Sequence, residues 1–199
     1  CGRGEYTVGL AQLYTDKNFV GIDIKGARMW AGAKLAEQAG MTNVAFLRTN
    51  IEMLTAFFAQ GEVDEIWITF PDPQMKKATK RLTSTWFMQR YQQLVRPGGL
   101  IHLKTDSPFL YTYTREVLRL NAYPVLADTA DLYHTAETDT LREAKMLQTH
   151  YEHQWLDRGL TIKYLHWQLV PKTIFEEPQI EIEKDTYRSY GRNYTSTQS

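Results

Sequence analysis

The chain has 199 residues, enough for one domain with a single hydrophobic core. Lys and Arg together number 23, as do Asp and Glu, so the formal net charge is zero and any affinity for a polyanion must come from a local patch. Cys1 is the only cysteine, and no apolar run reaches the length of a membrane span. Composition therefore excludes a disulfide framework and a thiolate metal cluster, and it predicts a cytoplasmic protein that does not bind membranes.

The chain begins with a glycine turn, CGRGE, in which Gly2 and Gly4 would let backbone amides face a ligand closely. A helical pattern over residues 6–13 and a β-branched strand over 19–24 follow. Asp23 stands about 20 residues after the glycines, the offset at which an acid binds ribose hydroxyls in nucleotide-binding α/β units. We interpret this pair as a site for a nucleoside-containing cofactor; the alternative is a helix-start turn with an incidental surface Asp.

The next elements are a helix over residues 25–39 and a strand over 44–49 that ends at Asn50. The amide of Asn50 would bond an adenine edge or cap a helix over 51–59, and residue chemistry favours the cap. The apolar run 63–68 predicts a buried strand.

The stretch after that strand, TFPDPQMKKATKRL, is the most informative in the chain. Proline cannot continue a strand, so Asp72, between two prolines, is held in a short turn at the strand's C-terminal end, where open α/β sheets bind ligands. Four cations follow without an intervening acid: Lys76, Lys77, Lys80 and Arg81. This pattern predicts a rigid carboxylate beside a polyanion-binding loop. The alternative is that Asp72 caps the next helix and the cations are solvated.

The rest of the chain alternates further between helix and strand. The patterns predict helices over 83–95 and 109–120, strands over 100–104 and 125–127, one helix over 141–158, and a half-buried, antiparallel final strand over 161–170. Asp106 is either a second ligand-facing carboxylate or the cap of the helix over 109–120. The alternation predicts a mostly parallel sheet with helices on both faces.

Taken together, these segments resemble the bacterial tRNA (guanine-N7-)-methyltransferases, which are class I enzymes dependent on S-adenosylmethionine. The resemblance rests on FPDP at 70–73 with its basic continuation, KTD at 104–106 and THYE at 149–152. It implies a Rossmann-like methyltransferase domain over residues 1–170, whose first strand we expect upstream of Cys1. The composition of the extension over residues 171–199 favours a weakly ordered tail. The tyrosines and arginines at the end of that extension would stack on RNA or belong to a loose tail.

The resemblance also implies roles for individual residues. Gly2, Gly4, Asp23 and Asn50 would bind S-adenosylmethionine, whose product is S-adenosylhomocysteine, without a metal. Asp72 would lie at the catalytic centre and border the cofactor. Substrate contacts would come from Lys76, Asp106, Thr149, His150, Tyr151 and Glu152, and RNA contacts from Lys77, Lys80 and Arg81. The implied target is the variable-loop guanosine of tRNA, position 46, and the enzyme would be a monomer or a homodimer.

Three other functions remain compatible with the residues themselves. A methyltransferase of the same fold acting on a small molecule or a protein is one, because fold does not fix substrate. An NAD-dependent oxidoreductase would use the same Gly and Asp pair, although the chain lacks a full G-x-G-x-x-G. A non-catalytic RNA-binding module would bind tRNA without a cofactor.

Overall fold

The structure is a computed structural model that describes residues 1–186, and the predicted role of the final tyrosines and arginines lies outside these residues. The strands are β1 Phe19–Asp23, β2 Val44–Arg48, β3 Val63–Thr69, β4 Val95–Thr105, β5 Val125–Thr129 and β6 Lys163–Gln168. The helices are α1 Glu5–Leu13, α2 Gly26–Gln38, α3 Thr85–Leu94, α4 Pro108–Leu120, α5 Asp139–Met146 and α6 His150–Leu156. Two 3₁₀ helices span Ile51–Ala56 and Ala78–Lys80. Within residues 1–186, no helix is long and apolar enough to cross a bilayer.

The strands form two ladders. β1 pairs in parallel with β2, and the other four strands lie in the order β3, β4, β6, β5. β3 and β4 are parallel, whereas β6 runs antiparallel to both of its neighbours. The predicted parallel α/β arrangement with an antiparallel final strand is therefore confirmed. β6 lies between β4 and β5, which pair with its two edges. Its side chains are buried on both faces from Lys163 to Trp167, where the pattern predicted a half-buried strand.

Alternate side chains of β4 divide the protein into two layers. Ile101 and Leu103 join the main hydrophobic cluster with α3 and α4, while His102 and Lys104 point to the opposite face. On that opposite face, Lys104 contacts α1 and α5. Helices therefore cover both faces of the sheet, as predicted. Phe87, Tyr91 and Leu94 of α3 are buried in the main hydrophobic cluster, as is Val95 at the start of β4.

Two predicted helices differ from the structure. The segment after Asn50 is a 3₁₀ helix that ends at Ala56. The predicted single helix over 141–158 is two helices, because Thr149 starts α6 with a capping box in which its side chain accepts from the Glu152 N–H and the Glu152 carboxylate accepts from the Thr149 N–H. The spacing Thr-x-x-Glu was the local signal for this break.

His166 gives the fold a dependence on acid. Its buried ring stacks on His102 with centroids 3.9 Å apart, and neither ring nitrogen has a hydrogen-bond partner among the described residues. Burial, reinforced by His102 and opposed by Glu65, lowers the pKa of His166 to about 4. Because the unfolded chain takes up this proton near pH 6.5, the contribution of His166 to stability is complete above that pH and is lost as the pH falls towards 4.

We therefore expect His166→Phe to keep the stack and to remove this acid sensitivity. Between about pH 6.5 and 4.5, the free energy of unfolding of the variant should fall by about 2 kcal/mol less than that of the parent chain. Urea unfolding at the two pH values measures the difference. An equal loss in both proteins would show that His166 does not carry the effect.

Candidate active site

The glycine turn and the end of β1 form one edge of the site. The Asp23 carboxylate accepts hydrogen bonds from the Gly2 N–H at 2.8 Å, the Cys1 nitrogen at 3.0 Å and the Lys25 N–H at 2.9 Å. Burial alone would raise the pKa of Asp23, but the Lys25 and Gly2 N–H groups and the nearby Cys1 nitrogen together outweigh it, so the pKa is lowered. The Asp23 carboxylate is thus charged, fixed against the turn and still partly exposed.

The two glycines of this turn have different surroundings. Gly2 has φ +56°, and a Cβ there would meet no atom within 4 Å, so its backbone borders open space. Gly4 has φ +77°, and a Cβ there would lie 2.7 Å from a ring carbon of Phe46 and 3.1 Å from the Gly32 Cα. Gly4 is therefore required for packing the turn on β2 and α2, whereas Gly2 leaves room for a ligand.

Asn50 lies at the same edge, because the Thr49 N–H donates to the Asp23 carbonyl at 3.2 Å. It is exposed, and its side chain makes no capping bond to the 3₁₀ helix that follows. The cap that residue chemistry favoured is thus absent at Asn50. The predicted contact of Asn50 with a cofactor stays a prediction.

The turn with Asp72 follows β3; Asp72 is exposed, whereas Pro73 beside it is buried. The Phe70 N–H donates to the Lys104 carbonyl at 2.8 Å, which ties the turn to the end of β4. Asp72 accepts from the Gln74 N–H at 2.9 Å, closing an Asx turn. Phe70 and Gln74, on either side of the PDP segment, have φ of 49° and 48°, and such strained non-glycine positions concentrate at functional sites.

Asp106 lies at the end of β4, next to the Asp72 turn along the same sheet edge. It is only 1% exposed, and the cap of α4 is Ser107, whose hydroxyl accepts from the Leu110 N–H at 3.0 Å. Lys163, opposite Thr105 on β6, lies close enough that the charge of Asp106 raises its pKa against the larger, lowering effect of burial. Ser107 therefore caps α4, and Asp106 is buried in the neighbourhood of the Lys163 cation.

The four cations after Asp72 separate into two kinds. Lys76 and Lys77 are exposed, and Lys80 forms an ion pair with Glu52. Arg81 is 8% exposed: it donates to the Gln74 and Met75 carbonyls at 3.2 and 3.1 Å.

The Arg81 guanidinium also lies over the rings of Phe109 and Tyr113, 4.8 and 4.4 Å from their centroids. The Arg81 guanidinium is thus enclosed between the loop and α4, which favours a structural role over the predicted RNA contact; that contact stays a prediction.

The THYE segment divides in the same way. Thr149 and Glu152 are buried in the capping box, and Glu152 also accepts from the Tyr133 hydroxyl. His150 is exposed, and its N–H donates to Glu5 beside the glycine turn at 3.0 Å. Tyr151 faces the start of α2, where the Arg28 guanidinium is 5.6 Å from its ring. The Glu152 carboxylate is 0% exposed and paired with Lys104, which favours an indirect role over the predicted substrate contact; that contact stays a prediction.

Lys104 lies buried beneath the glycine turn and the THYE segment and contacts the helices that carry them. Its ammonium lies 2.6 Å from the Glu152 carboxylate, and both side chains are 0% exposed. It also donates to the Tyr6 hydroxyl at 2.9 Å and to the Ala144 and Leu147 carbonyls at 2.6 and 2.9 Å. Burial lowers the pKa of Lys104 to about 8, against the raising effect of Glu152. One buried cation thus joins the start of α1, the end of β4 and the start of α6.

Sequence reasoning did not identify Lys104, Lys163 or Asp185 as part of this region. Lys104 lies within the KTD motif, so that motif was a signal for it. The other two lie in segments without a local motif, and only folding brings them to Asp106. Among the described residues, no group of three or more His, Cys, Asp or Glu is arranged to hold a metal.

Comparisons with known proteins agree with this geometry. A family model described as "Putative methyltransferase" matches residues 1–165. A tRNA (guanine-N(7)-)-methyltransferase of Porphyromonas gingivalis is 60% identical over 197 residues, which cover 98% of this chain and 80% of that protein.

Two solved structures share the fold. The 16S rRNA methyltransferase KamB has a TM-score of 0.63 at 14% identity and 85% coverage of each chain. A 16S rRNA (adenine(1408)-N(1))-methyltransferase from Catenulisporales acidiphilia, solved with its cosubstrate SAM, has a TM-score of 0.55 at 18% identity, with 87% of this chain and 84% of that chain covered. From the family match and the 60% identity, the chain belongs to the tRNA (guanine-N(7)-)-methyltransferase family.

Proposed function

We propose that this protein transfers a methyl group from S-adenosylmethionine to N7 of a guanosine in tRNA, with the variable-loop guanosine at position 46 as the target and the cytoplasm as its setting. The observation that carries the proposal is the Asp72 turn. It holds an exposed carboxylate between two strained residues at the edge of the sheet, tied to the end of β4 that bears Asp106. Family membership supports the reaction, and the geometry supports the residue roles proposed here.

The residues present at the β1 edge fit S-adenosylmethionine. Gly2 borders open space, Asp23 offers a fixed carboxylate for ribose hydroxyls, and the exposed amide of Asn50 can pair with an adenine edge. When bound, this cofactor supplies an electrophilic methyl group on a sulfonium. The methyl–sulfur bond breaks as the bond to N7 forms, and the released electron pair stays on sulfur.

Guanine N7 carries an in-plane lone pair, so the chain needs no general base to remove a proton before attack. Its task is to place N7 in line with the methyl group at about 3 to 3.5 Å, which makes positioning the main source of rate. Guanine becomes positively charged during transfer. A carboxylate fixed nearby, such as that of Asp72, stabilises this charge.

Asp106 and Asp72 also suit the donor edge of guanine, whose N1–H and N2 amine are complementary to carboxylate oxygens. Asp106 is buried near Lys163, so it would contact only a base that inserts between the Asp72 turn and the end of β4. We call this space the guanine pocket. His150 and Tyr151 on α6 would border the same pocket next to the glycine turn. Recognition thus requires an exposed base on folded RNA, and it reads no duplex groove.

The direct test is incubation of the purified chain with methyl-labelled S-adenosylmethionine and bulk tRNA, followed by nucleoside analysis. The expected product is 7-methylguanosine, absent from reactions with tRNA that lacks the target guanosine. Label on a small molecule or a protein and none on tRNA would assign the chain to another substrate class. Binding of tRNA without any cofactor affinity would indicate a non-catalytic RNA-binding module.

Lys76 and Lys77 are expected to contact phosphates of the tRNA. The double charge reversal Lys76→Glu/Lys77→Glu should weaken binding of every tRNA and make the slope of log affinity against log salt shallower by about 1 to 2, because each lost phosphate contact removes one counterion-release step. Filter binding over a range of salt concentrations measures the slope. Arg81→Lys is the matched control: it should loosen the loop but leave the salt slope unchanged, since Arg81 is enclosed. An unchanged slope in the double variant would show that Lys76 and Lys77 do not contact the phosphates of the tRNA.

A further inference from the structure

The segment over residues 171–186 lies beyond the family model, which ends at residue 165. The structure places it across α3 and α4, where Phe175 and Ile182 pack against the main hydrophobic cluster. We name it the C-terminal strap. It is anchored midway by Glu177, which accepts from the Thr85 hydroxyl and N–H and from the Tyr113 hydroxyl.

The strap ends at the active site through Asp185. One oxygen of its carboxylate accepts from the Ser107 hydroxyl, and the other accepts from the Phe109 N–H at 3.0 Å. Asp185 is 7% exposed, and these bonds place its negative charge at the start of α4, where a helix favours an anion. Ser107 directly follows Asp106, so Asp185 holds the backbone that carries the predicted guanine-binding carboxylate.

Asp185 also reaches the loop after the Asp72 turn. Its backbone N–H donates to the Met75 sulfur at 3.3 Å, next to Lys76. Arg81 makes a second link between the same two elements, through the Met75 carbonyl and the rings of Phe109 and Tyr113. The start of α4 and residues 74–81, which we call the basic loop, are thus connected twice. Arg81 makes one connection from within the family domain, and Asp185 makes the other from the strap.

We propose that Asp185 is a positioning residue: the C-terminal strap fixes the basic loop against the start of α4 and so sets the relative positions of Lys76 and Asp106 around the substrate guanosine. The identity of the substrate in this inference rests on the proposed function. The connection from Asp185 to the start of α4 and to Met75 does not depend on it. The contacts of the strap described above are with α3, α4 and the loop after the Asp72 turn, so we expect it to act on the RNA side of the site. Small displacements of positioned groups cost large factors in rate.

The test compares Asp185→Ala with the parent chain at full length. We expect kcat/KM for tRNA to fall by about 10- to 100-fold, while the Kd for S-adenosylhomocysteine stays within about twofold. Asp185→Asn keeps an oxygen acceptor for the Phe109 N–H and should recover part of the loss. Hydrogen exchange at residues 74–81 and 107–110 should become faster in Asp185→Ala. Glu181→Ala is the matched control, since it removes an exposed acid of the same strap and should change neither readout.

Two results would overturn the inference. One is an unchanged kcat/KM for tRNA in Asp185→Ala; the other is a parallel loss of tRNA methylation and S-adenosylhomocysteine binding, which would indicate general unfolding. If the parent chain itself leaves tRNA unmethylated, the proposed function fails. Hydrogen exchange still tests the role of the strap in that case. Unchanged protection of residues 74–81 in Asp185→Ala would refute the connection between the strap and the loop, whatever the activity.

Discussion

Replacing Asp72 by Asn is expected to lower the rate of methyl transfer to tRNA by about 10²- to 10³-fold, the usual cost of losing one fixed group that stabilises transition-state charge. The asparagine oxygen can still accept from the Gln74 N–H, so the Asx turn and the strained backbone around it should survive. Only the negative charge is lost. Affinity for tRNA should stay within about twofold, because the exposed lysines supply the phosphate contacts.

Single-turnover methylation with saturating tRNA separates the chemical step from binding, which filter binding measures independently. Asp72→Ala, which also removes the turn's acceptor, should be at least as slow as Asp72→Asn. Asp16→Asn removes the same charge from an exposed loop position and serves as the control with unchanged rate. Equal losses in rate and in tRNA affinity would leave Asp72 a binding role only.

The Asp72 turn was predictable from sequence because its causes are local. Two prolines end β3, and the carboxylate between them can only lie near the strand's end. The same holds for Gly2 and Asp23, whose spacing is fixed by one helix and one strand. The break between α5 and α6 also had a local cause, the Thr149 and Glu152 pair, but the continuous helical periodicity on both sides concealed it.

Arg81, Lys104 and Asp185 were not predictable in this way, because their partners are distant in sequence. A run of cations indicates a charged loop, yet it does not show that Phe109 and Tyr113 enclose one of the four. Lys104 alternates with apolar neighbours in β4, a pattern that fits an exposed lysine as well as a buried one. What these residues share is a role in joining segments, and that role exists only in the folded chain.

The second large effect is expected at the buried pair of Lys104 and Glu152. Glu152→Gln keeps the N3 acceptor of the capping box but leaves the Lys104 ammonium buried without a counter-charge, and we expect a loss of about 3–5 kcal/mol in the free energy of unfolding. Lys104→Met leaves the Glu152 carboxylate buried without a counter-charge, and the free energy of unfolding should fall by a similar amount. Chemical denaturation at neutral pH measures each loss.

The double variant Lys104→Met/Glu152→Gln decides whether the charges act as a pair. With both charges removed, its loss should be smaller than that of either single variant, since no unpaired charge remains buried. Thr149→Ala is the control for the cap alone, with an expected loss of about 1 kcal/mol. Additive losses in the double variant would show that the two side chains stabilise the fold independently.

The pH dependence of the stability of Glu152→Gln tests the same pair through the pKa of Lys104. Burial already lowers the pKa of Lys104 to about 8, and removal of Glu152, which raises it, must lower it further. The folded variant therefore releases the proton at a lower pH than the folded parent chain, so its deficit in stability should shrink as the pH rises from about 7 to about 9. A deficit that stays constant over this range would mean that Lys104 releases its proton at the same pH in both folded proteins, so that Tyr6 and the two carbonyls hold the ammonium as well without Glu152 as with it.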